Sequence, residues 1–487
     1  MPKELILSID IGSSSVRTGL FDSAARSVSK TFVRRDWQSL MKSRGEAEID
    51  AGEALDQVAS AIDEMLLRAE DVKGEITHAA VSCFWHSLVG VDEKGRPTTK
   101  VLGWADTRGR DAAAILRCRF DESEVHNRTG ARSHSSFWPV KLLWLKKEFP
   151  AVWGKTARWL SLSDYLSLRF FGEASTSISM ASATGSFDIR KCEWDRALLK
   201  FLKLKPENLP PIAADDATFK LNSRFTKRWP RLKDTRWFPA IGDGAANNIG
   251  AGCMKKGRAA LMIGTSGAMR VAYAGDPPER IPPGLWCYRI DRERVIVGGA
   301  LSDGGGLYDL LKQTLRIDAS DVEIGKEMAR RGADAHGLTV MPFFFGERST
   351  GYHENASGAI LGLKASHDAI DILQAAMEAV AFRFAEIFDQ VKMVAPIREI
   401  AASGGALDSS PVWRQIIADV LGRDLLVSGT REASMRGAVL QAFDQLGKHP
   451  AADNNVTWEK LEFHPKCHAI YKKARKRHQD VYNHVMS

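Results

Sequence analysis

Two short segments carry small polar residues where a phosphate could be held. Asp10-Ile11-Gly12-Ser13-Ser14-Ser15 follows the apolar run Leu5–Ile9, and Gly264-Thr265-Ser266-Gly267 follows the apolar run Ala259–Ile263. Backbone N–H groups in tight Gly/Ser/Thr turns converge on an anion, and the hydroxyls add donors. Two such turns facing each other would hold a polyphosphate between them. Asp10, at the mouth of the first turn, has the hard oxygen that Mg²⁺ prefers, and Arg17 could neutralise a phosphate. Neither turn matches the Gly-x-x-x-x-Gly-Lys-Ser/Thr pattern, so this is not a P-loop. A plain hairpin accounts for either turn taken alone.

Asp243 lies between two glycines in Ile241-Gly242-Asp243-Gly244, at the end of a short apolar run and before a small-residue helix start. That arrangement exposes a carboxylate at a helix N-terminus. Phosphoryl transfer to an alcohol needs one base near the hydroxyl, with metal and positive charge around the phosphates. Asp243 is the candidate base, and an N-cap aspartate is the plainer reading. A third cluster joins Phe84-Trp85-His86-Ser87 to Trp104-Ala105-Asp106-Thr107-Arg108, each just past an apolar strand. Tryptophan faces pack on the apolar side of polyols, while Asp and Arg bind hydroxyls or a carboxylate. His86 alone reads as a satisfied core histidine. Finally, the glycines of Ser403-Gly404-Gly405-Ala406-Leu407-Asp408-Ser409 permit close approach of a flat ligand such as a purine, or simply begin a helix.

The elements that must position these groups alternate between strand and helix. Leu5–Ile9 and Val16–Phe21 read as a hairpin with a small-residue tip. Apolar residues recur at helical spacing around Ala47–Ala69, and Ile76–Ser82 and Val89–Val91 read as strands. Near residue 259 the strand–turn–strand shape returns, with exit strand Ala268–Tyr273, which suggests an internal duplication with a boundary near 244–256. Ile370–Val391 and Val412–Leu421 read as amphipathic helices, and Lys472-Lys473-Ala474-Arg475-Lys476-Arg477 as one solvated helical face. The pattern is that of an α/β protein.

The chain has 487 residues, 44% of them hydrophobic and 26% charged, which is ample for buried cores and excludes a disordered chain. At about 150 residues per domain it holds two or three domains. The 68 basic residues against 60 acidic ones leave a net charge of +8, too thinly spread for a dedicated nucleic-acid binder. The six cysteines form no Cys-x-x-Cys pair and read as reduced, small buried hydrophobes. Met1-Pro2-Lys3-Glu4 runs straight into the first strand with no signal-peptide architecture, and no apolar run reaches about 18 residues. The expectation is a cytoplasmic protein with neither a membrane nor a nucleic-acid partner.

Taken together, these residues resemble the FGGY carbohydrate kinase family over nearly the whole chain and in the family's order. Asp10–Arg17 is similar to its first phosphate hairpin, Ile263–Gly267 to its second, and Ile241–Gly244 to the segment with its catalytic aspartate. Gly404-Gly405-Ala406, with Trp413–Ile416 and Ala418–Gly422, resembles its adenosine motif. Gly358–Leu363 running to Asp371–Glu378 fits its C-terminal signature. Lys141–Leu145 resembles the N-terminal one, with Trp138 where a smaller residue is usual.

The resemblance implies an actin-like fold of two duplicated ribonuclease-H-like domains, 1–244 and 245–487, with a catalytic cleft between them. It implies Mg-ATP and a sugar or aldonate as substrates. Carried over, Asp243 would deprotonate the acceptor hydroxyl and Asp10 would hold Mg²⁺. Gly12, Ser13, Ser14, Arg17, Gly264 and Thr265 would line the phosphates, and Gly304, Gly405 and Ser409 would border the nucleoside. Trp85, His86, Trp104, Asp106 and Arg108 would contact the substrate. A homodimer is among the assemblies the family uses. Phe343–Arg348, Met180–Gly185 and Ile263–Val271 look most like gluconokinases, and Arg108, Arg132 and Arg270 are available for a gluconate carboxylate. A ketopentose such as xylulose remains the alternative acceptor. An actin-like ATPase with no sugar acceptor, or a sugar sensor without turnover, is the alternative from another class.

Overall fold

A computed structural model describes residues 4–36, 45–429, 432–448 and 458–486. The opening Met1-Pro2-Lys3 lies outside them. The strand Glu4–Ile11 is apolar on both faces and fully buried along Leu5, Ile6 and Leu7, as befits a central strand covered on both sides. It pairs antiparallel with Ser15–Asp22, which pairs antiparallel with Val33–Asp36. On its other side Glu4–Ile11 runs parallel to Glu75–Cys83, and beyond that lie Arg236–Trp237 and Ile241–Gly242, again parallel.

The second sheet repeats that order. Arg258–Ile263 pairs antiparallel with Gly267–Ala274, which pairs antiparallel with Arg294–Leu301. Arg258–Ile263 also runs parallel to Glu399–Ser403, which runs parallel to Leu425–Ser428. Order and direction match over these strands, so the likeness noted between two hairpins extends into both sheets; the second adds Trp286–Arg289 at one edge and Trp458–Leu461 at the other. In each half a long helix makes the crossover to the parallel strand beside the hairpin: Ala51–Arg68 in the first, Ala369–Val394 in the second. The first of these starts later than its periodicity suggests. Glu48–Ile49 pairs with Val101–Leu102, and Asp50 then caps the helix by accepting from the N–H groups of Gly52 and Glu53.

A second pair of equivalent helices, Asp243–Gly250 and Ala433–Gln445, follows the outer parallel strands and joins the halves. They cross at two glycines. A β-carbon on Gly437 would fall 1.7 Å from the Ala246 carbonyl oxygen, and one on Gly250 would fall 1.8 Å from that of Ala433. Met435, Val439 and Phe443 of the later helix belong to the same apolar core as the first sheet, and the Ser8 hydroxyl donates to the Met435 carbonyl at 2.9 Å.

Two sequence expectations need correction. The basic segment of helix Pro465–Met486 is not wholly solvated: Lys472, Lys473 and Lys476 are exposed, but Arg475 pairs with Asp389 and Arg477 with Asp334. The cysteines are all free thiols, yet only Cys83, Cys253 and Cys287 are buried; Cys192 and Cys467 are half-buried and Cys118 is exposed. Among the described residues no helix is long and apolar enough to cross a membrane.

Candidate active site

Two neighbouring parallel strands end together at Cys83 and Gly242, and this register places Trp85 beside Asp243. Asp243 is the first residue of its helix; the N-cap is Gly242, which has no side chain to cap with. Its carboxylate accepts from the adjacent Gly244 N–H at 2.8 Å. Burial pushes its pKa up, opposed by the Arg270 guanidinium and by the Gly244 and Trp85 backbone N–H groups. The flanking glycines have a steric reason. A β-carbon on Gly242 would lie 1.7 Å from Trp85 Nε1, and one on Gly244 would lie 2.4 Å from Trp85 Cζ3.

The Trp85 indole donates to the Ser179 carbonyl at 3.1 Å and meets Trp286 and Tyr288 edge-on, at 5.7 and 5.2 Å between ring centroids. Those two rings come from strand Trp286–Arg289 of the second sheet, so both halves build this wall. Nothing in their local sequence spacing marks them.

Strand register also builds the surroundings of Asp10. Arg17 stands opposite it in the hairpin and Ser82 opposite it on the parallel neighbour. The Ser82 hydroxyl donates to Asp10 Oδ1, while Arg17 Nη1 lies 3.4 Å from Oδ2 and 3.2 Å from Glu432 of the second half. Burial pushes the Asp10 pKa up to about 6; Asp243 and Glu432 push the same way, against Arg17 and Ser82. Asp243 and Glu432 thus both repel the Asp10 carboxylate, an arrangement that a hard divalent cation relieves. The turn above closes with the Gly12 N–H on the Ser15 carbonyl at 2.9 Å, leaving Gly12 and Ser13 partly exposed and Ser14 exposed.

In the second half, three strand-end loops converge. The Gly305 and Gly306 N–H groups donate to the Gly264 and Thr265 carbonyls at 2.7 and 2.9 Å, and a β-carbon on Gly304 would fall 2.8 Å from the Ser266 backbone. Gly404, at φ 108°, packs its backbone on Ile263, where a β-carbon would fall 2.4 Å from the carbonyl oxygen. The short helix Gly405–Ser409 follows, with Gly405 and Ser409 exposed. Gly264, Thr265, Gly304 and Gly405 are therefore brought together. Ser409 opens onto a cavity of about 530 Å³ between helix Asp321–Arg331 and helix Pro411–Leu421.

The remaining candidates divide into paired and unpaired groups. Asp106 and Arg108 bind each other: Arg108 Nη2 lies 2.6 Å from Asp106 Oδ2 and 2.6 Å from Glu48. Arg132 is taken by Glu122 at 2.8 Å and by the Pro283 carbonyl. Arg270 differs. It is buried, and its Nε and Nη1 have no hydrogen-bond partner among the described residues.

His86, at φ 69°, donates from Nδ1 to the Ala183 carbonyl at 2.6 Å, which leaves Nε2 as an acceptor 3.4 Å from Arg348 Nη2. Burial, reinforced by Arg348, holds its pKa well below the usual histidine value. It is a satisfied core histidine on one nitrogen and faces the site with the other. Arg348 also lies over the Trp104 ring at 5.0 Å. Arg348 ends the Phe343–Arg348 segment, whose local sequence gives it no partner; only the fold carries this loop across to His86 and Trp104. Lys141, buried nearby on Ser135, has its pKa pulled down to about 7 by burial.

Comparison with known proteins adds the family. The model for the N-terminal domain of the FGGY family of carbohydrate kinases matches residues 5–250, and that for the C-terminal domain matches residues 259–445. A gluconokinase of Bacillus licheniformis is 26% identical over 92% of this chain and 89% of its own length. The crystal structure of gluconate kinase from Lactobacillus acidophilus superposes with a TM-score of 0.89 at 25% identity, covering 100% of this chain and 99% of its own. A ligand-bound xylulose kinase from Lactobacillus acidophilus does so equally, with a TM-score of 0.89 at 25% identity, covering 99% and 98%.

Proposed function

This chain belongs to the FGGY family of carbohydrate kinases, and from that premise we propose that it phosphorylates D-gluconate to 6-phosphogluconate with Mg-ATP, using Asp243 as general base. It is a phosphotransferase with a sugar-class acceptor. The reading of an acid sugar rests on one observation. Arg270 and Arg348, both at the Asp243–His86 wall, have no carboxylate within ion-pair distance among the described residues. Arg270 is buried and Arg348 half-buried; a charge drawn out of water without a partner is costly, so an anionic substrate is a natural complement.

The roles follow from position. Asp243 accepts the proton of the reacting hydroxyl as that oxygen attacks the γ-phosphorus, and the bond to the β–γ bridging oxygen breaks toward ADP. Arg270, abutting Asp243, faces the transferring phosphoryl group. Arg348, beyond His86 and over Trp104, lies where the far end of an extended six-carbon acid would sit and takes its carboxylate. Trp85 and Trp104 pack on the carbon chain. The Asp106–Arg108 pair and Lys141 hold that wall in place.

Asp10 supplies the oxygen for the Mg²⁺ of the nucleotide, which when bound neutralises charge on the phosphate oxygens. Gly12, Ser13, Ser14 and Arg17 from one hairpin, with Gly264 and Thr265 from the other, line the phosphates. Gly304, Gly405 and Ser409 border the nucleoside. In this reading 1–244 is the sugar-binding domain and 245–487 the nucleotide-binding domain. The reaction belongs in the cytoplasm, where ATP is supplied.

The equal likeness to a xylulose kinase keeps a ketopentose as the second reading. The deciding experiment is a coupled ADP-release assay with Mg-ATP and a panel of gluconate, other aldonates, xylulose, ribulose, glycerol and common polyols. Turnover on gluconate with none on the neutral sugars is the expected result. Turnover confined to a ketopentose overturns the substrate and leaves the mechanism. ATP hydrolysis that no acceptor stimulates overturns the phosphotransfer reading itself.

A further inference from the structure

The cavity of about 530 Å³ that begins at Ser409 ends against Asp419, His464 and Cys467. Asp419 is in the last turn of helix Pro411–Leu421, while His464 and Cys467 stand at the start of helix Pro465–Met486. We propose that these three side chains form a binding site for a thiophilic divalent cation, with zinc as the metal their donor atoms suit, and that the cation ties the two helices together.

One carboxylate oxygen, one imidazole nitrogen and one sulfur make a donor set found in four-coordinate zinc sites with an open position. Asp419 Oδ2 and His464 Nδ1 are 3.3 Å apart, and all three donor atoms lie within 4.8 Å of one another. Zinc bonds of about 2.0–2.3 Å place tetrahedral donors about 3.3–3.8 Å apart. The oxygen and nitrogen already have that spacing, and the sulfur, hydrogen-bonded to Asp419, lies within 4.8 Å of both. Asp419 Oδ1 is oriented by the His464 backbone N–H at 2.6 Å and by Gln415 Nε2 at 2.9 Å, the kind of outer hydrogen bonding that fixes a ligating carboxylate. The His464 side chain is 62% exposed and the cavity is open, so metal can reach the site and a fourth ligand can join from it.

Charge supports the assignment. Asp419 is 4% exposed, and among the described residues no Lys or Arg pairs with it. A second cluster, Asp334, His336 and Glu378, shows the contrast. There Arg477 already contacts both Asp334 oxygens, and Gln374 and Tyr471 donate to Glu378, so the positive charge and the lone pairs are used. Asp419 instead accepts from the His464 N–H groups, Gln415 Nε2 and the Cys467 thiol, none of them a lysine or arginine. On binding, the Cys467 thiol releases its proton to solvent as the sulfur–metal bond forms, so affinity falls as pH falls.

The test is a Co²⁺ titration of the full chain after treatment with chelator, followed by Zn²⁺. The expected result is one equivalent of Co²⁺ giving a thiolate-to-metal charge-transfer band in the near ultraviolet, bleached by Zn²⁺, with Zn²⁺ raising the melting temperature. In Cys467→Ser the band disappears, and in His464→Gln the affinity drops by about 10- to 100-fold or more, since even outer-shell changes cost that much. No band in the unaltered chain, or a band that survives Cys467→Ser, overturns the proposal.

Discussion

The indole of Trp85 occupies the space that a side chain on Gly242 would need: its Nε1 lies 1.7 Å from where that β-carbon would be. The residue before the candidate base is thereby held to glycine by a tryptophan that lies just past the end of the neighbouring strand. Gly242→Ala pushes the indole off its Ser179 hydrogen bond and moves both the wall and Asp243. A misplacement of about 1 Å costs on the order of 100-fold in rate. Activity is expected to fall by that amount while circular dichroism shows the fold retained.

Asp243→Asn removes the base and keeps the shape. Turnover is expected to drop by roughly 100- to 10,000-fold, the usual contribution of general base catalysis, while calorimetric ATP affinity stays close to that of the unaltered enzyme. A near-full rate in the Asn variant would remove Asp243 from the base role.

Arg348→Met deletes a guanidinium that no carboxylate among the described residues pairs with, and that instead meets His86 and the Trp104 ring. Hydrogen bonds to a charged group contribute about 1.5–3 kcal/mol, so KM for gluconate should rise by about 10- to 100-fold with KM for ATP unchanged. Arg132→Ala, which breaks a pair with Glu122, is the control and should leave KM for gluconate near its starting value.

The raised pKa of Asp10 makes a stability prediction with a definite sign. Burial holds it at about 6, so the folded state binds this proton more tightly than the unfolded chain does. The group therefore costs nothing below the ordinary carboxylate pKa of about 4, and its cost grows as pH rises to 6 and stays constant above. The cost amounts to roughly 3 kcal/mol at neutral pH. Asp10→Asn should be inactive yet melt at a higher temperature than the unaltered protein at pH 7.5, with the difference shrinking toward pH 4.

Gly437→Ala tests the crossing of the two helices that join the halves. Its β-carbon would fall 1.7 Å from a backbone oxygen, which no rotamer change can relieve. Overpacking costs about 1–3 kcal/mol, and a backbone clash belongs at the upper end. The melting temperature should fall in the variant, and Gly250→Ala should do the same from the other side.

Local chemistry was enough to read some of this from the chain. Both hairpins and the long helix near 370–391 are specified by alternation, periodicity and small-residue turns within a dozen or two residues, and so they are legible. The glycines around Asp243 were legible as a helix start, but the Trp85 indole packed against them was not, because strand pairing brings it from more than 150 residues away. Arg108 and Arg270 looked equivalent as sequence; only burial and the Asp106–Glu48 carboxylates around one of them set them apart. By itself the sequence determined the two hairpins, the long helices and the family, because each rests on short-range spacing. The tertiary structure alone decided which charges are neutralised, that Arg348 reaches His86, and that helix Ala433–Gln445 packs into the core of the first sheet. Those facts depend on desolvation and on contacts between residues hundreds of positions apart, and no local pattern encodes either.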